Sequence, residues 1–310
     1  MMAPHCQGIR LIGAPTDVGA GARGASMGPE ALRVAGLVEA ITALGIEVQD
    51  TGDVTGPRNP WQASDNGYRH LHEVAAWNQA VHDRVSQVLA EQHMPVLMGG
   101  DHCLAIGSIS AVAKHCVAQG KKLRVLWLDA HSDINTASLT PSGNIHGMPV
   151  ACLMGEGPAP LVDMGGPGHR LNAKMLRQIG IRSVDAGEKK LVKDWGVDVF
   201  DMRFIDEHGM LHAMEMALAL VDANTHLHVS FDVDFLDPSI APGVGTTVRG
   251  GPSYREAHLC MEMIADSARL ASLDIVELNP AFDVRNQTAT LAVDLVESLL
   301  GKSTLMRNRT

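Results

Sequence analysis

Short, continuous apolar runs recur along the chain, each followed by a longer segment whose apolar residues return every three or four positions. The short runs read as strands buried on both faces, and the longer segments as amphipathic helices. Strands are expected at residues 9–13, 46–49, 94–98, 123–128, 178–182, 197–202, 226–234 and 273–278. Helices are expected at 29–44, where Pro29 sits in the first turn and Gly45 is the stop, and at 68–92, 103–119, 211–222, 254–270 and 288–300, with a short one before residue 197. Strand and helix alternate from end to end, the signature of an α/β fold with a mostly parallel sheet covered on both faces through right-handed crossovers. No repeat, low-complexity tract or linker interrupts it, so residues 1–310 are expected to form one domain.

In such sheets ligands bind beyond the carboxyl ends of the strands. Every chemically suggestive cluster falls at one of those ends: GGDH after residue 98, DAHSD after 128, FDVDFLDP closing the run that starts at His226, and Glu277 closing the run that starts at Leu273. The 123–128 run is the clearest case. Leu123, Val125 and Trp127 alternate with Arg124, Leu126 and Leu128, and the run stops at Asp129, His131 and Asp133. If the extended conformation persists, a period of two places those three side chains on one face. Carboxylates and an imidazole converging at the mouth of an apolar strand repel and are costly to desolvate, and a cation compensates both.

The candidate ligands are His102, Asp129, His131, Asp133, Asp232 and Asp234. Four carboxylates and two imidazoles exceed what one ion takes and suit two ions sharing carboxylates. Oxygen and imidazole donors without thiolate point to a moderately hard divalent ion such as Mn²⁺, with Co²⁺, Zn²⁺, Ni²⁺ or Fe²⁺ able to fit. Asp101 and Asp237 are expected in turns or behind the ligands, and the His70/His72 and His226/His228 pairs as ordinary helix or strand residues. The loop ASLTPSGNIHG can present Asn135 just before it, together with Ser142 and Asn144, as hydrogen-bond partners to a substrate, and His146 as a proton carrier.

Composition narrows the partners. Charged residues make up 19%, aromatic residues 4%, and the formal charge is −10, so neither base stacking nor phosphate attraction is supported and nucleic acid is not an expected partner. No apolar stretch approaches the ~18 residues of a membrane span. Five scattered cysteines without CxxC spacing fit a reducing cytoplasm better than a disulfide framework.

Taken together, GAPTDVGAGARGASMGP, GGDH, DAHSDINT, SGNIHGMP, SFDVDFLDPSIAPGVGT and IVELNP resemble the ureohydrolase (arginase/agmatinase) family, its arginase branch in particular, over nearly the whole chain. The resemblance implies a three-layer α/β/α fold, a binuclear Mn²⁺ site and a homotrimer or homohexamer. It implies that His102, Asp129, Asp133 and Asp232 hold one ion and His131, Asp129, Asp232 and Asp234 the other. It further implies that Asn135, Ser142 and Asn144 receive an α-carboxylate, that Asp185 and Glu188 in VDAGE receive an α-amino group, and that His146 shuttles protons. Two departures are visible: Cys103 stands where the family usually has Ser, and Thr247 where Pro is common.

The expected reaction is hydrolysis of the L-arginine guanidinium to urea and L-ornithine by a metal-bridging hydroxide, which Asp133 would orient. A guanidinium stays cationic because its pKa exceeds ~12, so a carboxylate should anchor it, and Glu277 is placed for a charge-assisted pair. Agmatinase or guanidinobutyrase activity is the nearest alternative. A two-metal phosphoesterase also begins with Asp-x-His, but its downstream motifs and basic groups are missing. A non-catalytic relative should have lost a ligand, and none is lost.

Overall fold

The structure is a computed structural model that describes residues 2–305 apart from Pro167, a residue of the Gly/Pro-rich 164–169 stretch. Eight strands form one parallel sheet: β1 (Ile9–Gly13), β2 (Val48–Asp53), β3 (Met94–Met98), β4 (Lys122–Leu128), β5 (Leu176–Ile179), β6 (Asp198–Phe200), β7 (Thr225–Asp232) and β8 (Leu270–Val276). Their order is β2-β1-β3-β8-β7-β4-β5-β6. The helices are α1 (Gly28–Val34), α2 (Leu37–Ala43), α3 (Leu71–Ala90), α4 (Ala105–Gln119), α5 (Pro149–Leu153), α6 (Ala159–Val162), α7 (Ala186–Trp195), α8 (Met202–Ala217), α9 (Tyr254–Ser267) and α10 (Gln287–Leu299).

The alternation within β4 shows how the layers arise. Leu126 and Leu128 pack into a core shared with α1, α2, α8, α9 and α10. Leu123, Val125 and Trp127 pack into the opposite core, under α3, α4, α5 and α6. Successive side chains of one strand thus serve two helical layers, the three-layer α/β/α architecture that double-sided burial requires.

The expected helix 29–44 is two helices, because Gly36 takes a left-handed φ of 83° and breaks the run. The helix expected from 211 starts instead at Met202, capped by Asp201 and kinked at Gly209. The second strand lies at Val48–Asp53, two residues later than its apolar run, since an edge strand does not need a continuous apolar sequence.

Four strands matter most. β3, β8, β7 and β4 are neighbours at the centre of the sheet, and their carboxyl ends carry GGDH, Glu277, FDVD and DAHSD respectively. The sheet itself therefore brings the four clusters together.

Candidate metal centre

The six expected ligands assemble around two imidazoles. On one side, His102 Nδ1 lies 3.0 Å from Asp129 Oδ2, 3.2 Å from Asp133 Oδ2 and 3.1 Å from Asp232 Oδ2. On the other, His131 Nδ1 lies 3.0 Å from Asp234 Oδ2 and 3.4 Å from Asp129 Oδ1. Asp129 faces both sides with different oxygens. The groups His102, Asp129, Asp133 and Asp129, His131, Asp234 each have ligand atoms within 4.8 Å of one another.

The route by which these side chains converge differs from simple strand continuation. β4 ends at Leu128, and Asp133 has a left-handed φ of 51° that swings its carboxylate back toward His102. Asp234 lies in a single 3₁₀ turn, Val233–Phe235, that follows β7, and its N–H donates to Asp232 Oδ1 at 2.7 Å. Glu277 is also left-handed, at φ 62°, just past β8. Strained non-glycine residues persist where their surroundings over-determine them, and both here carry site carboxylates.

Several neighbours orient the ligands. His102 Nε2 is 2.8 Å from Ser230 Oγ, and its ring stacks on Trp127 with centroids 4.0 Å apart. With Nε2–H donating to the serine, Nδ1 keeps a lone pair aimed at the three carboxylates. The Trp127 indole donates to Asp129 Oδ2 at 2.9 Å, and Thr246 donates to Asp234 Oδ2 at 2.9 Å. The sequence reading missed Trp127, Ser230 and Thr246. Two of them carry a readable signal, since Trp127 and Ser230 each precede a ligand by two positions, on the same strand face. Thr246 carries none.

One nitrogen bearing at most one hydrogen cannot satisfy three carboxylates, so the arrangement demands positive charge. The donor set and its spacing fit a divalent ion: ligands about 2.1 Å from an octahedral centre stand about 3.0 Å apart. Without an ion the cluster competes for protons. Burial alone would lower the His102 pKa, yet the carboxylates of Asp129, Asp133 and Asp232, as acceptors for its ring N–H, raise it well above the usual imidazole range. His131 is likewise pulled down by burial but pushed up to about 12, first by the Asp234 charge. Burial and the neighbouring Asp129 push Asp133 up to about 7. Burial and Asp234 raise Asp232 well above the carboxylate range.

Above this floor lies a cavity of about 120 Å³, lined by His131, Asp133, Asn135, His146, Ser183, Asp185, Glu188, Asp232, Thr246 and Glu277, with Gly147. Glu277 Oε1 accepts from the His102 backbone N–H at 2.9 Å and lies 3.0 Å from His146 Nδ1. Burial opposes the charged imidazole of His146, but the Glu277 charge prevails and lifts its pKa to about 9. Asn135 Nδ2 donates to Asp185 Oδ2 at 3.3 Å. Glu188 accepts from two backbone N–H groups, Ile134 at 3.2 Å and Asp185 at 2.9 Å, so it also ties the loop to the start of α7. Ser142 and Asn144 stand outside the cavity lining: Ser142 is exposed and its Oγ accepts from the Asn144 N–H at 3.2 Å. The amide oxygens of Asn135 and Asn144 are buried without partners.

Comparison with known proteins gives the family. The model of the Arginase family matches residues 7–301. The arginase of Bacillus subtilis is 43% identical over 297 residues, covering 96% of this chain and 99% of that protein. The crystal structure of arginase from Bacillus caldovelox superimposes with a TM-score of 0.91 at 42% identity, covering 96% of this chain and all of that one. An Entamoeba histolytica arginase, solved in complex with L-ornithine, superimposes with a TM-score of 0.88 at 30% identity over 96% of this chain and all of that one. The chain therefore belongs to the arginase family and is an enzyme of that family.

Proposed function

We propose that the protein hydrolyses the guanidinium of L-arginine to urea and L-ornithine in a manganese-dependent reaction. The observation that carries this reading is the two-sided grip of Asp129, whose Oδ2 faces His102 and whose Oδ1 faces His131, beneath a cavity rimmed by acids and amides. The relatives named arginase, one of them solved with L-ornithine, support it.

His102, Asp129, Asp133 and Asp232 would hold one Mn²⁺, and His131, Asp129, Asp232 and Asp234 the second, with Co²⁺ or another divalent ion able to substitute. Bound there, such ions supply a nucleophilic hydroxide near neutral pH, bulk water's pKa of ~15.7 falling to ~7 in favourable sites. Asp133, at the cavity floor, accepts the nucleophile's hydrogen bond and aims it. Glu277 anchors the guanidinium: its Oε1 is committed to His102 and His146, and its Oε2 is the oxygen left for a charge-assisted pair. His146 is held by Glu277 through Nδ1, so Nε2 is the nitrogen that carries a proton to the departing amine. Asn135, Ser142 and Asn144 receive the α-carboxylate, and Asp185 and Glu188 the α-amino group. Burial raises the Glu188 pKa, so it serves the ammonium best together with Asp185.

The same reading takes residues 1–310 as a single domain working in the cytoplasm as a homotrimer or homohexamer. Among the described residues no helix is long and apolar enough to cross a membrane. The test is urea release from L-arginine, agmatine and guanidinobutyrate by metal-stripped and Mn²⁺-loaded protein. L-Arginine with Mn²⁺ is expected to dominate, and a preference for agmatine would overturn the substrate assignment.

A further inference from the structure

The loop preceding α3 carries none of the site's chemistry, yet it touches the 135–144 loop, which does. It reads WQASDNGYRH, residues 61–70, and contains three non-glycine residues in the left-handed region: Trp61 (φ 52°), Asn66 (φ 49°) and His70 (φ 56°). Gly67, at φ 81°, lies so close to the substrate loop that an added Cβ would stand 2.5 Å from the Ala137 carbonyl oxygen. Gly143 fits against Ser64 in the same way, its hypothetical Cβ 2.5 Å from the Ser64 Cβ. The Arg69 N–H donates to the Gly143 carbonyl at 2.8 Å.

His70 holds this loop in place. It precedes the first turn of α3, where Ser, Thr, Asn or Asp would normally cap the helix, but its side chain makes no cap. The residue is only 7% exposed, and its ring reaches sideways. Nδ1 lies 2.9 Å from the Val18 carbonyl, and the Gln62 N–H donates to Nε2 at 2.9 Å. A carbonyl can only accept, so the neutral tautomer with its hydrogen on Nδ1 donates to Val18 and accepts from the Gln62 N–H, the shorter of the two Gln62 contacts at Nε2; the Gln62 carbonyl lies 3.1 Å away. His70 therefore joins the Gly-rich loop after β1 to the 61–70 loop, and its chain neighbour Arg69 joins the latter to the substrate loop.

We propose that His70 is a positioning residue for substrate recognition: through the 61–70 loop it holds residues 135–144 where they can receive the amino-acid end of the substrate. The proposal rests on the arginine reading of that loop. It separates recognition from chemistry, because the tie to His146 keeps an anchor of its own even though Val18, whose carbonyl His70 holds, is the chain neighbour of Gly19. The His146 N–H donates to the Gly19 carbonyl at 3.1 Å, and Gly19 is itself held by its N–H donating to buried Asp101 Oδ2 at 2.8 Å.

The experiment compares His70→Ala and His70→Asn with the wild type in the Mn²⁺-loaded enzyme, measuring KM, kcat and bound metal. Losing two buried hydrogen bonds should raise the KM for L-arginine about tenfold in His70→Ala, with kcat within about threefold and metal content unchanged. Asn tolerates the left-handed backbone and places an amide N–H near the position of Nδ1, so His70→Asn should recover most of the KM. An unchanged KM, a fall in kcat at constant KM, a loss of metal, or a KM defect that Asn does not reduce would each overturn the proposal. If His70→Ala fails to fold, Gly67→Ala, which forces the same two loops apart, must show the same KM defect. Wild-type enzyme that cleaves another guanidino compound but not L-arginine would sink the substrate reading alone, and the His70 split would then be judged on that compound.

Discussion

The floor and the rim of this site are built in opposite ways. Asp129, His102, Asp232 and Asp234 are each at most 2% exposed and stand at the ends of strands that are neighbours in the sheet. Each is fixed by a group close to a strand end: Trp127 for Asp129, Ser230 for His102, the Asp234 N–H for Asp232, and the Ala130 N–H for Asp234. The rim residues Ser142 and Asn144 sit instead in a loop held by turn hydrogen bonds, such as the Ser142 and Gly143 N–H groups donating to Thr140 Oγ1, and by contacts with a second loop. A parallel sheet holds strand ends to a fraction of an ångström, whereas a loop is only as fixed as what it leans on. Damage to the floor should remove metal and turnover together, while damage to the rim should weaken binding first.

The strongest test breaks the floor at the residue both sides share. Asp129→Asn keeps the shape but removes the charge that faces His102 and His131. Losing residues that merely orient a metal ligand costs about 10–100-fold in metal affinity or activity, so replacing this ligand should exceed about 100-fold and deplete the bound metal as well. Elemental analysis beside the urea assay checks both; a metal-replete Asp129→Asn enzyme with normal turnover would end the two-sided account of the floor. His146→Asn acts between the two regions. It should leave metal content intact and lower kcat about 100-fold, the low end for a proton carrier, because its ring is 17% exposed and water can partly replace it. Loss of metal in that variant would place His146 in the floor instead.

The same contrast governs what could be read from the sequence. The floor was legible because its chemistry obeys strand spacing and strand ends: Asp129 and Asp232 directly follow or close apolar runs, and the sheet order then makes their strands neighbours. Even so, the expectation of one extended face for Asp129, His131 and Asp133 was too simple, since Asp133 reaches His102 only through a left-handed backbone. Resemblance to a family named the rim residues, but nothing in their spacing revealed that exposed Ser142 would turn its Oγ to the Asn144 N–H or that Glu188 would spend both oxygens on backbone N–H groups. The 61–70 loop was unreadable for a related reason. Its polar, turn-rich composition predicts a loop, whereas its importance lies in contacts with Val18 and Gly143, far away along the chain. Long-range loop packing leaves no local period.

The smallest effect concerns the floor in the absence of metal, where charge is left unbalanced. In the folded chain burial and Asp129 push Asp133 up to about 7, and burial and Glu277 push Asp101 up to about 6. In the unfolded chain both ionise near the ordinary value of ~3.9. Between about pH 4 and pH 7 these two groups thus bind more protons in the folded state than in the unfolded state, so their contribution to the stability of metal-stripped protein should fall as pH rises through that window. His131, raised to about 12, adds a decline of the same sign above its ordinary range. Asp129 and Glu277, whose pKa values are lowered, contribute the opposite slope at more acidic pH, and His226, His115 and His5, whose pKa values burial lowers, contribute it within the window in stripped and loaded protein alike, so the floor is read from the difference between the two. A divalent ion bound there would replace the missing protons, so its stabilisation should widen with pH, each kcal/mol corresponding to about 2–4 °C in Tm for a chain somewhat smaller than this one. Thermal melts of stripped and loaded protein at pH 4.5, 5.5 and 7 check the sign. A metal stabilisation that shrinks by several degrees across that range would mean that the carboxylates of the floor are not crowded in the way the structure places them.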